Sequence, residues 1–361
     1  MRRAPRLLPL ARLGFSALLI LLPVLAALAQ GTRSDSFTVK PIALPGANGL
    51  VMLDYFAYDN SSRRLWVPAA NTGSVDVIDT TNDQVQRVDG FPVTQVQFKG
   101  KLRAMGTSSV AIGDGAVYVG SRADSRICII DARTLKTGKC IAFAAPSAGL
   151  AAAPDGLIYI AATHELWATS GAPPVGVPAA DRSIKILSAS ATDLVPSDKI
   201  PLPASAEGYA VDNVHGRFYT NLEETGKTVA IDVHKRAVVS TWRSCEDPSG
   251  VAVDSKRGFV FVACGDHVIV MDTTHEGRVV GSIATGAGVD NIDYVEGPAL
   301  LYVAAAEAAQ LTIAHVDDRG KPGSIAVIPT TKGARSVVAG AGGVAYLIDP
   351  YGGNILKVSP K

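Results

Sequence analysis

Trp66-Val67-Pro68-Ala69-Ala70-Asn71-Thr72-Gly73-Ser74-Val75-Asp76-Val77-Ile78-Asp79 is the stretch that decides how this chain is read. An aromatic and aliphatic run is followed by an Asn-Thr-Gly turn, then by a run that alternates with a period of two and ends in Ile-Asp. Period-two alternation between turn residues is the signature of short β-strands. The phrase recurs at Ala116-Val117-Tyr118-Val119 with Ile127-Cys128-Ile129-Ile130-Asp131, and at Arg217-Phe218-Tyr219-Thr220 with Thr228-Val229-Ala230-Ile231-Asp232. A further copy is Phe259-Val260-Phe261-Val262 with Val268-Ile269-Val270-Met271-Asp272. The aspartate follows the aromatic by 13 residues in the first three copies and by 11 in the fourth.

Weaker copies complete the series. Leu301-Tyr302-Val303 goes with Leu311-Thr312-Ile313, and Ala345-Tyr346-Leu347 with Ile355-Leu356-Lys357-Val358. A degenerate copy places Leu166-Trp167-Ala168 with Ser183-Ile184-Lys185-Ile186-Leu187, separated by the Pro/Gly-rich insert 171–180; Leu157-Ile158-Tyr159-Ile160 competes for the same slot. The aromatics Trp66, Tyr118, Trp167, Tyr219, Phe261, Tyr302 and Tyr346 then recur at spacings near 40 to 52 residues. Four short strands per period, stacked radially on neighbours, form a propeller blade. The last copy reaches only its third strand, whereas Ser36-Phe37-Thr38-Val39-Lys40-Pro41-Ile42 is a strand without a blade. The expectation is therefore an all-β, seven-bladed propeller of four-stranded blades, closed by an N-terminal strand.

These residues carry a resemblance. The phrase aromatic-Val-x-Asn … Val-x-Val-Ile-Asp resembles the YVTN-repeat β-propellers, exported and WD40-like, over residues 36 to 361. The pattern departs from the motif in the third, sixth and seventh copies, where the Ile-Asp ending is lost. The resemblance implies an exported, mostly non-enzymatic binding protein, and it is more specific for fold than for function.

Composition sets the outer limits. The chain has 361 residues, 47% hydrophobic and 19% charged, with 35 glycines and 21 prolines, so it is a folded, turn-rich chain. A formal net charge of +1 excludes a basic nucleic-acid binder on bulk electrostatics. Arg2, Arg3, Arg6 and Arg12 precede an apolar run from Leu13 to Ala27, and Ala27-Leu28-Ala29 fits a cleavage site before Gln30. Residues 1–29 read as a signal peptide and 30–361 as one propeller domain. Cleavage removes four arginines and leaves a net charge of −3. The expected product is a periplasmic or secreted monomer with no membrane span.

Cys128, Cys140, Cys245 and Cys264 can pair in three complete ways. Cys128 and Cys140 lie on consecutive strands of one repeat, and Cys245 and Cys264 on two loops of the same face, so pairings 128–140 and 245–264 are favoured. His164, His215, His234, His267, His275 and His315 are spread over different repeats, mostly at strand ends on the face opposite the Cys245 loop. They read as turn residues. The chain lacks G-x-S-x-G, a P-loop and H-E-x-x-H. Asn60-Ser61-Ser62 is a sequon that arises readily by chance.

One constellation stands out. Aligned on Gly250-Val251-Ala252-Val253-Asp254, the residues entering each innermost strand put Asp54, Glu207, Asp290, Asn291 and Arg335 around one mouth of the central channel, with Asp155 a further candidate. Carboxylates beside an arginine suit a small polar ligand or another exported protein. Asp54, Glu207 and Asn291 also suit a hard cation such as Ca²⁺. Two functions follow: a binding or scaffold propeller, which is favoured, or a metal-dependent lactonase-type hydrolase with a central divalent cation. The second imitates the Glu, Asn and Asp set of a six-bladed relative.

Overall fold

The computed structural model describes residues 34–98, 101–144, 153–170 and 182–361. The proposed signal segment 1–29 and the insert 171–180 lie outside the described residues.

The quoted stretch folds as the sequence pattern dictates. Arg64–Pro68 and Ser74–Asp79 pair antiparallel, with Trp66 opposite Val77. Ala57–Asp59 lies inside them and Gln84–Asp89 outside, which gives a four-stranded sheet. Its side chains alternate between two cores. Leu65, Val67 and Ile78 pack with Tyr346 and Ile348 of the last repeat. Trp66, Val75 and Val77 pack with Val110, Val117 and Val119 of the second. A sheet apolar on both faces cannot stay in water alone, so each repeat needs a neighbour on either side.

The second, third and fourth repeats build sheets of the same kind, spanning 107–142, 154–201 and 206–243. In the third, Glu165–Ser170 occupies the second-strand slot with Trp167 opposite Ile186, and Pro154–Ile160 is the innermost strand.

Two parts of the expected architecture need correction. The chain does not form seven separate four-stranded blades. The described residues form six blade sheets, five of four strands and one of six, plus a two-stranded ribbon of Thr94–Phe98 and Lys101–Met105. The six-stranded sheet runs through Val251–Asp254, Phe259–Asp272, Arg278–Val295, Leu300–Ala305, Gln310–Val316 and Pro322–Pro329. It fuses the fifth and sixth repeats because two strands continue where a break was expected. Gly265 pairs with Val289, and the ladder crosses from one repeat into the next at that point. Register shifts beside Gly265 and Val289 bend the strands there. The two halves accordingly pack together: Phe261, Val268 and Val270 share a core with Ile292, Leu301 and Val303.

The second correction concerns Phe37–Ala43. It pairs along its whole length with Asn354–Pro360, from Phe37 opposite Pro360 to Ala43 opposite Asn354. It is nevertheless an outer strand, with Thr38 to Pro41 exposed. An open edge is moved from one strand to the next rather than removed, so this strand does not act as a closure. The first and last sheets instead meet at their inner ends, where the Ser336 hydroxyl donates to the Asp54 carbonyl at 2.9 Å.

Cys128 faces Cys140 across paired strands, and Cys245 lies near Cys264. Both pairs stand at disulfide distance, with Sγ–Sγ separations of 2.01 and 2.06 Å. No helix among the described residues is long and apolar enough to cross a membrane.

Candidate functional site at the channel mouth

The innermost strands surround a channel of about 420 Å³. Its wall is mainly apolar, with Val110, Ile112, Val251, Val253, Ile292 and Val337 among the lining residues. At one mouth the backbone passes from repeat to repeat through hydrogen bonds. Asp54 N–H donates to Ser108 O at 3.0 Å, Gly250 N–H to Asp290 O at 2.7 Å, and Asn291 N–H to Arg335 O at 3.0 Å. The approach is close enough to require glycine. A Cβ on Gly208, whose φ is +64°, would stand 2.1 Å from Ser249 O, and one on Gly250 would stand 2.4 Å from Asp290 O.

This backbone ring collects the expected mouth residues. Arg335 binds Asp54 and reaches Asp290 at 3.3 Å. Asn291 donates to the Asp54 carbonyl at 3.1 Å. Glu207 accepts a hydrogen bond from the Tyr55 hydroxyl at 3.0 Å, between the first and fourth repeats. Arg122 was missed from the sequence. It joins Asp54 at 2.9 Å and also binds Asp155. Its signal was positional: Arg122 lies four residues after Tyr118, as Glu223 lies four after Tyr219, on the strand ends that rise to this mouth. Tyr55 and Tyr209 were also missed as partners. Their rings pack in a tilted pair, with centroids 4.7 Å apart and planes at 34°.

The carboxylates divide by environment. Burial alone would raise Asp54, but the guanidinium groups of Arg122 and Arg335 overcome it and hold Asp54 below its ordinary value. Asp290 is raised by burial, which Arg335 offsets only in part. Glu207 is pushed up to about 8, first by burial and then by Asp290, Glu223 and Asp54, against the Tyr55 hydrogen bond. No lysine or arginine stands at ion-pair distance from Glu207 among the described residues. Deeper in the channel, burial raises Asp293 to about 6, although the N–H groups of Tyr294 and Ala339 both donate to it.

Asp54 is not free to ligate a divalent cation as arranged, since both its oxygens are held by arginines; the Asn291 Nδ2 donates to the Asp54 carbonyl and leaves Oδ1 to accept. Among the described residues no three His, Cys, Asp or Glu side chains are grouped to hold a metal ion. Three of the six histidines are held at turns and strand ends away from the mouth: His215 on Asp212, His275 on Asp272, and His164 on Asp114 and Tyr159.

The chain matches no family model, and no curated protein is similar to it in sequence. Solved structures are similar in fold. A chain of the mitotic checkpoint complex is 12% identical, with a TM-score of 0.69 over 90% of this chain and 93% of that one. The fold is a WD40-like β-propeller. The β-propeller domain of Cps50 (Swd1) from Myceliophteria thermophila is 10% identical, with a TM-score of 0.66 over 89% of this chain and 98% of that one. A streptogramin B lyase is 10% identical, with a TM-score of 0.64 over 91% and 99%. Because a chain of a checkpoint complex and a lyase share the propeller at this identity, the likeness speaks to fold, and function has to be argued from the mouth.

Proposed function

We propose that this protein is an exported binding propeller of the YVTN-repeat type that takes a small polar ligand at the channel mouth. The observation that carries this reading is a carboxyl group, Glu207, without a cationic partner among the described residues, beside a cavity. Among the described residues, Asp54, Asp155 and Asp290 are paired with Arg122 and Arg335, whereas Glu207 has a neutral tyrosine as its partner. A volume of about 420 Å³ falls within the range of small-molecule sites. Export is supported by the charged and apolar segment ending at Ala29, and by paired cysteines, which suit an oxidising compartment.

Native mass spectrometry of protein purified from the exported fraction tests the reading. A bound mass of a few hundred daltons in the wild type, lost in Glu207→Ala, is the expected result. A wild-type chain with no bound mass, and no thermal response to a panel of polar small molecules, would overturn it.

A further inference from the structure

Resting on the mouth reading above, we infer that the ligand is a small organic ammonium compound, its head against Glu207, Asp290 and the Tyr55–Tyr209 rings and its apolar part in the channel. Three independent features converge on this class. The first is charge: each arginine is already shared between two carboxylates, Arg122 by Asp54 and Asp155, and Arg335 by Asp54 and Asp290. An anionic ligand would have to displace these pairs, whereas a cation meets the carboxylate that lacks one. The second is the aromatic pair. Tyr55 and Tyr209 stand beside Glu207, with the Tyr55 hydroxyl on its Oε1. Aromatic faces attract alkylammonium groups, which are weakly hydrated, more effectively than they attract a hydrated metal ion. The third is the channel. Its wall, which Tyr55 and Tyr209 join, includes Val110, Val251, Ile292 and Val337, which suit an alkyl or aryl substituent.

The same geometry sets a pH dependence. Glu207 is faced by Asp290, Glu223 and Asp54, by the hydroxyls of Tyr55 and Tyr209, and at longer range by Arg335. A bound cation favours the ionised carboxylate. Binding below pH 8 therefore releases a proton, and affinity rises as the pH rises toward that value.

The probes are butyl- and hexyltrimethylammonium chloride, with 3,3-dimethylbutan-1-ol as an uncharged compound that carries a tert-butyl head and calcium chloride as the inorganic cation. Isothermal titration of the full mature chain at pH 6 and pH 8.5 is expected to show binding of both ammonium salts. Affinity should tighten about fourfold per methylene, be stronger at pH 8.5, and be negligible for the alcohol. Glu207→Gln is expected to weaken binding at least tenfold. Tyr55→Leu, which keeps every carboxylate, gives a second readout and should weaken the ammonium salts more than threefold. Equal binding of the alcohol, a preference for calcium, or unchanged affinity in both variants overturns the ligand class. If those results come with a ligand found by native mass spectrometry, the mouth reading survives and only the class fails. If no probe and no native ligand binds, both fail.

Discussion

The two sides of the channel mouth hold carboxylates in opposite states. On one side Asp54 lies between Arg122 and Arg335 and is kept ionised. On the other, Glu207 faces further acids and a tyrosine hydroxyl and is kept protonated up to about pH 8. Both come from equivalent places in the repeat, at the entry to an innermost strand. The repeat thus fixes where a side chain stands, and its neighbours fix what it does there. One side of the ring acts as a paired structural clamp, while the other carries an unmet electrostatic demand.

The sharpest way to break this contrast is to remove the clamp. Arg335→Met leaves Asp54 and Asp290 facing each other with one fewer guanidinium, and it should cost about 3 kcal/mol, at the low end for a broken buried pair because the Arg335 side chain is 33% exposed. Urea unfolding at pH 7 measures this; a loss no larger than in Glu207→Gln would erase the distinction between the two sides. The next effect lies beside the unpaired side. Cys245 and Cys264 bracket Ser249 and Gly250, whose backbone joins the fourth repeat to Asp290. Replacing both by serine should cost roughly 2–3 kcal/mol for a loop of this length. Hydrogen exchange should quicken around Gly250 before it does around Asp54, and uniform quickening would argue against a local role.

The two carboxylates also predict opposite pH slopes. The folded pKa of Glu207 is raised from 4.5 to about 8, so its contribution is fully present below pH 4.5 and is lost as pH rises toward 8. The folded pKa of Asp54 is lowered, so its contribution is present above 3.8 and is lost on acidification. Glu207→Gln should therefore remove a decline on the order of 2 kcal/mol between pH 5 and 8, read from melts across that range. An unaltered slope would place the raised group elsewhere. The smallest effect is that of Tyr55→Phe. Losing one hydroxyl should change stability by about 1 kcal/mol or less and move the Glu207 titration upward, because the hydrogen bond favours the ionised form. A downward shift would reverse the assigned role of that bond.

The fold was legible because the repeat is written in period-two alternation, and Trp66, Tyr118 and Tyr219 each announce the same strand. The sequence could not show that Gly265 would lie opposite Val289 and fuse two repeats, since a strand that continues past a glycine looks like two strands with a turn. At the mouth, Asp54, Glu207, Asp290, Asn291 and Arg335 were found from repeat phase alone. Arg122 escaped because it enters from a second strand rather than an innermost one. The state of each acid was not readable, because it depends on cross-ring neighbours such as Tyr55 and Glu207, which are 152 residues apart.

The pairing of Phe37–Ala43 with Asn354–Pro360 has a mechanical consequence. Phe37 lies opposite Pro360, and Lys361 N–H donates to Ser36 O, so both ends of the propeller leave from the same end of one antiparallel ladder. A force that separates those ends loads this ladder one hydrogen bond at a time, like the slider of a zip, instead of shearing all its bonds together. The propeller should yield at low force when pulled by its ends, and hold far better when pulled through two points on neighbouring sheets.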